Sequence, residues 1–164
     1  MAIFDELRDR YTQYDAALTL QLQLLSKTAD LLVSNLGPYI GLPHPTWHKS
    51  DGEVGGRYIR LGTGKESSFE EKNWTELSSL GGVVDFTLAL MIDAAEDKFP
   101  KQNLIFEISV SFCSDGYQFK IRSFPEPIVV STEDVRNRKF NAVYDALVDR
   151  IKHIFDPARV EIQK

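Results

Sequence analysis

From residue 3 to residue 36, apolar side chains recur at alternating steps of three and four: Phe4, Leu7, Tyr11, Tyr14, Leu18, Leu25 and Leu32, with gaps at Gln21 and Thr28. That period predicts one long helix with a continuous greasy seam. Leu20, Leu22, Leu24, Leu31 and Val33 add a second stripe, so the later half is expected to be buried on more than one side. Gly37-Pro38 supplies a stop, because glycine takes a left-handed cap and proline cannot continue the ladder. An unbroken helix of this length runs roughly 50 Å. A compact domain of this size is only about 40 Å across. Either the helix breaks, or other elements cover its first turns, or those turns project and offer Phe4, Leu7, Tyr11 and Tyr14 to another chain.

Further along, the period falls to two. Val84, Phe86, Leu88, Leu90 and Ile92 alternate with Asp85, Thr87, Ala89, Met91 and Asp93 behind Gly81-Gly82, which predicts a strand with one apolar face. Leu104, Phe106, Ile108, Val110 and Phe112 share a face with Phe119 and Ile121. Glu107, Ser109, Ser111, Cys113, Gln118, Lys120 and Arg122 line the other. Asp115-Gly116 between the two runs is a preferred two-residue hairpin loop. It predicts Phe112 opposite Phe119 and Val110 opposite Ile121, with Glu107 diagonal to Arg122 as an ion pair.

The remaining segments read more loosely. Residues 37–56 are rich in proline and glycine and predict a surface loop, followed by a short strand over 57–61. Ser67-Ser68-Phe69-Glu70 has the form of a capping box, predicting a short helix over about 68–79 that buries Phe69, Trp74, Leu77 and Leu80. Ser131 or Thr132 caps a last helix over about 132–155 with Phe140, Val143, Tyr144, Leu147, Ile151 and Ile154 on one stripe, leaving 157–164 as a tail. Alternating strands are normally covered on one side, and the two amphipathic helices are the available cover. The expected fold is therefore α+β: an antiparallel sheet of three to four main strands over 57–123, with a long N-terminal and a C-terminal helix on one face, a two-layer sandwich in a single domain spanning 1–164.

Composition narrows the class. With 43% hydrophobic and 26% charged residues, 164 residues can bury a core without metals or disulfides. The N-terminus lacks the basic start and apolar stretch of a secretion signal, and the single Cys113 suits a reducing compartment, which together predict a cytoplasmic protein. Asn73-Trp74-Thr75 matches a glycosylation acceptor but carries no weight without export. The net charge of −5 divides into 8 Lys/Arg against 15 Asp/Glu over residues 1–97, and 11 against 9 over 98–164. An acidic chain is repelled by nucleic acid and anionic lipid, so neither is expected as a partner.

No catalytic motif survives inspection. His44, His48, Asp51 and Glu53 are suitable ligand types for a divalent ion, but Pro45 opposes the helix that would align the two imidazoles, and no metal or cofactor is assigned. Gly62-Thr63-Gly64-Lys65 lacks the first glycine and the Ser/Thr of a phosphate loop. Asp93 or Asp85 with Glu107 falls short of a metal nuclease because Glu107-Ile108-Ser109 has no lysine. Cys113 has no visible activating histidine, and His153 near a helix C-terminus meets the dipole. Arg136, Arg138 and Lys139 read as a solvated helix face.

These subtractions leave a non-enzymatic cytoplasmic protein-binding domain, comparable in size and charge to an immunity protein, a secretion chaperone or an inhibitor. Its expected contacts are the polar sheet face, through Asp85, Thr87, Asp93, Glu107, Ser109, Ser111, Lys120 and Arg122, or the 37–56 loop, through Tyr39, His44, Trp47 and His48. The seam at Phe4, Leu7, Tyr11 and Tyr14 predicts a homodimer. The alternatives are a metal-dependent hydrolase or nuclease using His44, His48, Asp51 or Asp93 with Glu107, and a small-ligand binder with a cavity between the sheet and the last helix.

Overall fold

The computed structural model describes residues 2–161. Helix α1 spans Ile3–Ile40 without a break. It outruns the predicted end at residue 36, because Pro38 forfeits only one helical N–H within the last turn. The chain leaves the helix at Gly41, whose φ of 73° is the left-handed cap. There Leu42 N–H donates to Gly37 O at 2.9 Å and Gly41 N–H to Pro38 O at 3.3 Å, the paired closing bonds of a Schellman motif. At 1.5 Å per residue the helix is roughly 57 Å long.

Residues 37–56, expected as a loop, fold in part into a two-stranded ribbon of β1 (Thr46–His48) and β2 (Val54–Arg57). Trp47 lies across Gly55 and Gly56 there; a Cβ on Gly55 would stand 2.0 Å from the indole ring, so only glycine admits the tryptophan. The main sheet contains β3 (Ile59–Thr63), β4 (Glu70–Glu71), β5 (Ser79–Leu80), β6 (Val83–Ile92), β7 (Gln102–Cys113), β8 (Gly116–Ile121) and β9 (Ile128–Ser131). Its order is β4-β3-β6-β7-β8-β9, antiparallel throughout, with β5 paired to the start of β6. Of these seven strands, β6, β7 and β8 are the longest, and the others extend the expected three or four.

The β7–β8 register differs from the expected one. Cys113 pairs with Gly116, Phe112 with Tyr117, Val110 with Phe119 and Ile108 with Ile121, so the loop residues are Ser114 and Asp115. Gly116 is instead the first residue of β8, at φ 139°, where a Cβ would stand 2.4 Å from Val130 O and 2.8 Å from Thr132 N of the neighbouring segment. Its glycine serves close approach to β9, not the turn. A slip of two residues preserves parity, so the predicted apolar and polar faces stand.

The 68–79 helix does not form. Short 3-10 turns at Glu66–Ser68 and Trp74–Glu76 flank β4, and the capping box belongs to Asn73 and Glu76. Leu77 is buried but Leu80 is exposed. The last helix is also interrupted: α2 (Thr132–Arg136) and α3 (Asn141–Ile154) are separated by a bend at Arg138, φ 59°. The second half of α1 and α3 cover one sheet face, giving the α+β two-layer arrangement. Leu25, Leu32, Leu36, Phe140, Val143, Tyr144 and Leu147 pack with Val84, Phe86, Leu88, Val110 and Phe119 in one core. The Tyr144 hydroxyl donates to Leu32 O at 2.6 Å and ties the two helices together; burial pushes its pKa up.

Candidate functional site

The first half of α1 is an arm. Residues 2–20 are all exposed, whereas burial begins in earnest at Leu25. The seam residues Phe4, Tyr11 and Tyr14 are 60, 67 and 62% exposed, and Leu7 and Leu18 are 56 and 42% exposed. Asp5 and Glu6 favour the positive end of the helix dipole, and Arg8 stacks 4.4 Å above the Phe4 ring. Thr12 and Thr19 donate back to Arg8 O and Asp15 O. Gln21, the gap in the seam, sits half-buried beside Gly82, where the arm meets the body. The second gap, Thr28, lies in the core and satisfies its hydroxyl on Leu24 O at 2.7 Å.

The polar sheet face is only partly open. Ser109 donates to Asp85 at 2.5 Å, and Arg122 pairs with Glu107 at 2.7 Å, directly opposite it in register rather than diagonal. Lys120 is exposed opposite Ser109, and Ser111 is half-buried opposite Gln118. Asp85, Glu107, Ser109, Lys120 and Arg122 line an open groove of about 670 Å³ bounded by Gly64, Ser79 and Leu80, which Ser111 does not reach. Two expected contact residues are not available on this surface. Thr87 is buried, its hydroxyl donating to Gly64 O at 2.8 Å, because the chain after β3 curls over this end of the sheet. Phe69 fills that cover, standing where a side chain on Gly62 would be and stacking on Arg60.

Asp93 is the second. It is enclosed in an ion pair with Lys101 at 2.7 Å and accepts a hydrogen bond from the Tyr58 hydroxyl at 2.9 Å. Burial alone pushes the Asp93 carboxyl up, but the hydrogen bonds from Lys101 and Tyr58 outweigh it and hold the carboxyl below its ordinary range. Burial, with the Asp93 contact, raises Tyr58 to about 12. Lys101 also lies 4.4 Å over the Trp47 ring and 5.1 Å over Phe99, clamping the β1–β2 ribbon to the segment after β6. No periodicity marks Lys101; an isolated lysine between Pro100 and a strand gives no signal of burial.

The loop candidates separate in the same way. Trp47 is buried in that clamp. His48 places Nδ1 2.9 Å from Glu96, which also accepts the His48 backbone N–H at 2.6 Å; these bonds hold Glu96 below its ordinary carboxyl range. Tyr39 belongs to the last turn of α1, bonding Asp145 and packing on Tyr144. His44 remains exposed.

The catalytic constellations do not assemble. Among the described residues, no three His, Cys, Asp or Glu side chains are gathered to hold a metal ion. Asp51 accepts from Glu53 N–H, away from the His48–Glu96 pair. Glu107 pairs with Thr87, six positions before Asp93, so Asp93 and Glu107 stand roughly 20 Å apart along the sheet. Val143, Tyr144 and Leu147 of α3 share the buried core with Val110 and Phe119 of the sheet. A cleft of about 910 Å³ lies elsewhere, between α1 near Asp30 and Val33 and the strand edge bearing Arg57, Glu71 and Trp74. No described helix is long and apolar enough to cross a membrane. No protein-family profile, curated protein or solved structure matches the chain.

Proposed function

We propose that this chain is a non-enzymatic protein-binding domain of the cytoplasm, acting as an immunity protein, secretion chaperone or inhibitor acts. One observation carries the reading: an arm of about five helical turns exposes three aromatics and two leucines on a single line. Contiguous exposed apolar surface of that kind marks an interaction site. The polar groove of Asp85, Glu107, Ser109, Lys120 and Arg122, with Ser111 beyond it on the same sheet face, is a second surface, suited to a partner with mixed charge. An acidic chain in which no three His, Cys, Asp or Glu are gathered among the described residues gives less support to a hydrolase or a nucleic-acid binder.

The test is affinity capture from the native host with wild type, Tyr11→Asp and the pair Lys120→Glu/Arg122→Glu. A stoichiometric protein bound by wild type and lost with one of these exposed-surface variants is the expected result. Bound metal or a copurified small molecule with no protein partner would sink the reading.

A further inference from the structure

We infer that the occupant of the arm is a second copy of this chain, laid antiparallel along it. This deepens the protein-binding reading and rests on it. The seam does not stop where the arm ends: Tyr11 and Leu18 continue, at seven-residue steps, into Leu25 and Leu32, which are fully buried against the sheet. Seven residues drift only about 20° around a helix. The exposed seam and the domain body therefore lie on the same side of α1, one below and one above Gln21. Any helix docking on the seam is confined to the length of the arm, because the body fills that side from Leu25 onward.

This shape decides the orientation. In a parallel, in-register pair, the second copy's buried half would run through the space the first copy's sheet occupies. In an antiparallel pair, each arm fills the notch beside the other's arm, its tip ending where the other's body begins. A two-fold axis between Tyr11 and Tyr14 sets Tyr11 against Tyr14 of the second copy, Leu7 against Leu18, and Phe4 against Gln21. The flanking positions agree. Arg8 comes beside Asp15 of the second copy, an opposite-charge pair made twice by symmetry, and Ile3 comes beside Leu24, itself exposed on this protomer. Covered aromatic rings bury roughly 150–250 Å² each. Phe4, Tyr11 and Tyr14 of both copies, each about three-fifths exposed, together with Leu7 and Leu18 therefore supply on the order of 1,000 Å², about the minimum a biological interface has to clear.

Two measurements test it, both on the full chain. Sedimentation equilibrium at micromolar concentration is expected to give twice the chain mass for wild type and the chain mass for Tyr11→Asp, with unchanged circular dichroism. In a Cys113→Ser background, oxidation of an equimolar mixture of Leu7→Cys and Leu18→Cys is expected to yield the mixed disulfide, while neither variant links to itself. Self-linking of Leu7→Cys would overturn the antiparallel arrangement. A monomeric wild type would overturn the second copy altogether; if that monomer still captures a different protein through the Tyr11 seam, the protein-binding reading survives without it.

Discussion

The two halves of α1 carry the same spacing and meet opposite fates. Leu25 and Leu32 are sealed against the sheet, while Phe4, Leu7, Tyr11 and Tyr14 stand in solvent on the same line. Seam chemistry differs in a telling way. The buried half uses aliphatic residues along the seam, while threonines in both halves bond back to their own backbone, as Thr28 does on Leu24 O and Thr12 on Arg8 O. The arm uses aromatics with a polar tip, flanked by Arg8, Arg10 and Asp15. Tyrosine combines large apolar area with a group that tolerates water, the composition of a surface that is covered part of the time. The difference shows that periodicity reports which side of a helix is apolar, not whether anything in the same chain covers it.

The largest test of this contrast is alanine substitution on each side of Gln21. Leu32→Ala removes a fully buried side chain and is expected to cost about 2–5 kcal/mol in urea unfolding, the range for such cavities. A cost below about 1 kcal/mol would mean that the half described as core is not packed as such.

Next in size is Tyr144→Phe. The hydroxyl is buried on Leu32 O and joins the two helices, so its loss is expected to cost about 1 kcal/mol. The same change at Tyr11 or Tyr14, whose hydroxyls face water, should leave the unfolding midpoint of the monomer in place.

Much of this contrast was legible in the sequence, and its limits have physical causes. The 3.6 and 2.0 periods located α1, β6, β7, β8 and the α3 stripe, because each buries one face. The length of α1 against the domain's diameter left a break, a cover from other elements or a projection, and the structure shows the projection. Other features depend on contacts between distant residues. Gly116 reads from the sequence as half of a turn, although its reason is the β9 backbone, which a Cβ there would meet at 2.4 Å. Strand alternation puts Asp93 and Thr87 on the polar face, but Lys101 and the chain around Gly64 close over them. Ser67-Ser68-Phe69-Glu70 had the form of a cap with no amphipathic run behind it, and local form without a face to bury does not make a helix.

The ribbon supplies a third region, held to the body by polar contacts rather than by apolar burial alone. Asp93 and Glu96 both have depressed folded pKa values. Their contribution is therefore fully present above the ordinary values of 3.8 and 4.5 and is lost as pH falls through the folded ones. Acidification below pH 4.5 is expected to free the ribbon before the core melts. In a Trp74→Phe background, Trp47 fluorescence should shift to the red over that window while the far-UV circular dichroism holds. Coincident changes in both signals would show that the clamp and the core form one cooperative unit.

The smallest expected effect bears most directly on the arm. Deleting residues 1–20 removes no residue of the core, and single changes such as Leu18→Ala take away side chains that touch little within the same chain. At concentrations low enough to keep the protein monomeric, Leu18→Ala is expected to move unfolding free energy by no more than about 0.5 kcal/mol, as for surface positions without partners. At higher concentration a difference should open: an arm paired with a second copy is stabilised by mass action, so wild type gains stability with concentration while the deletion does not. Parallel midpoints for the two proteins at all concentrations would leave the exposed seam without energetic consequence, and the opposite fates of the two halves would then be a matter of geometry alone.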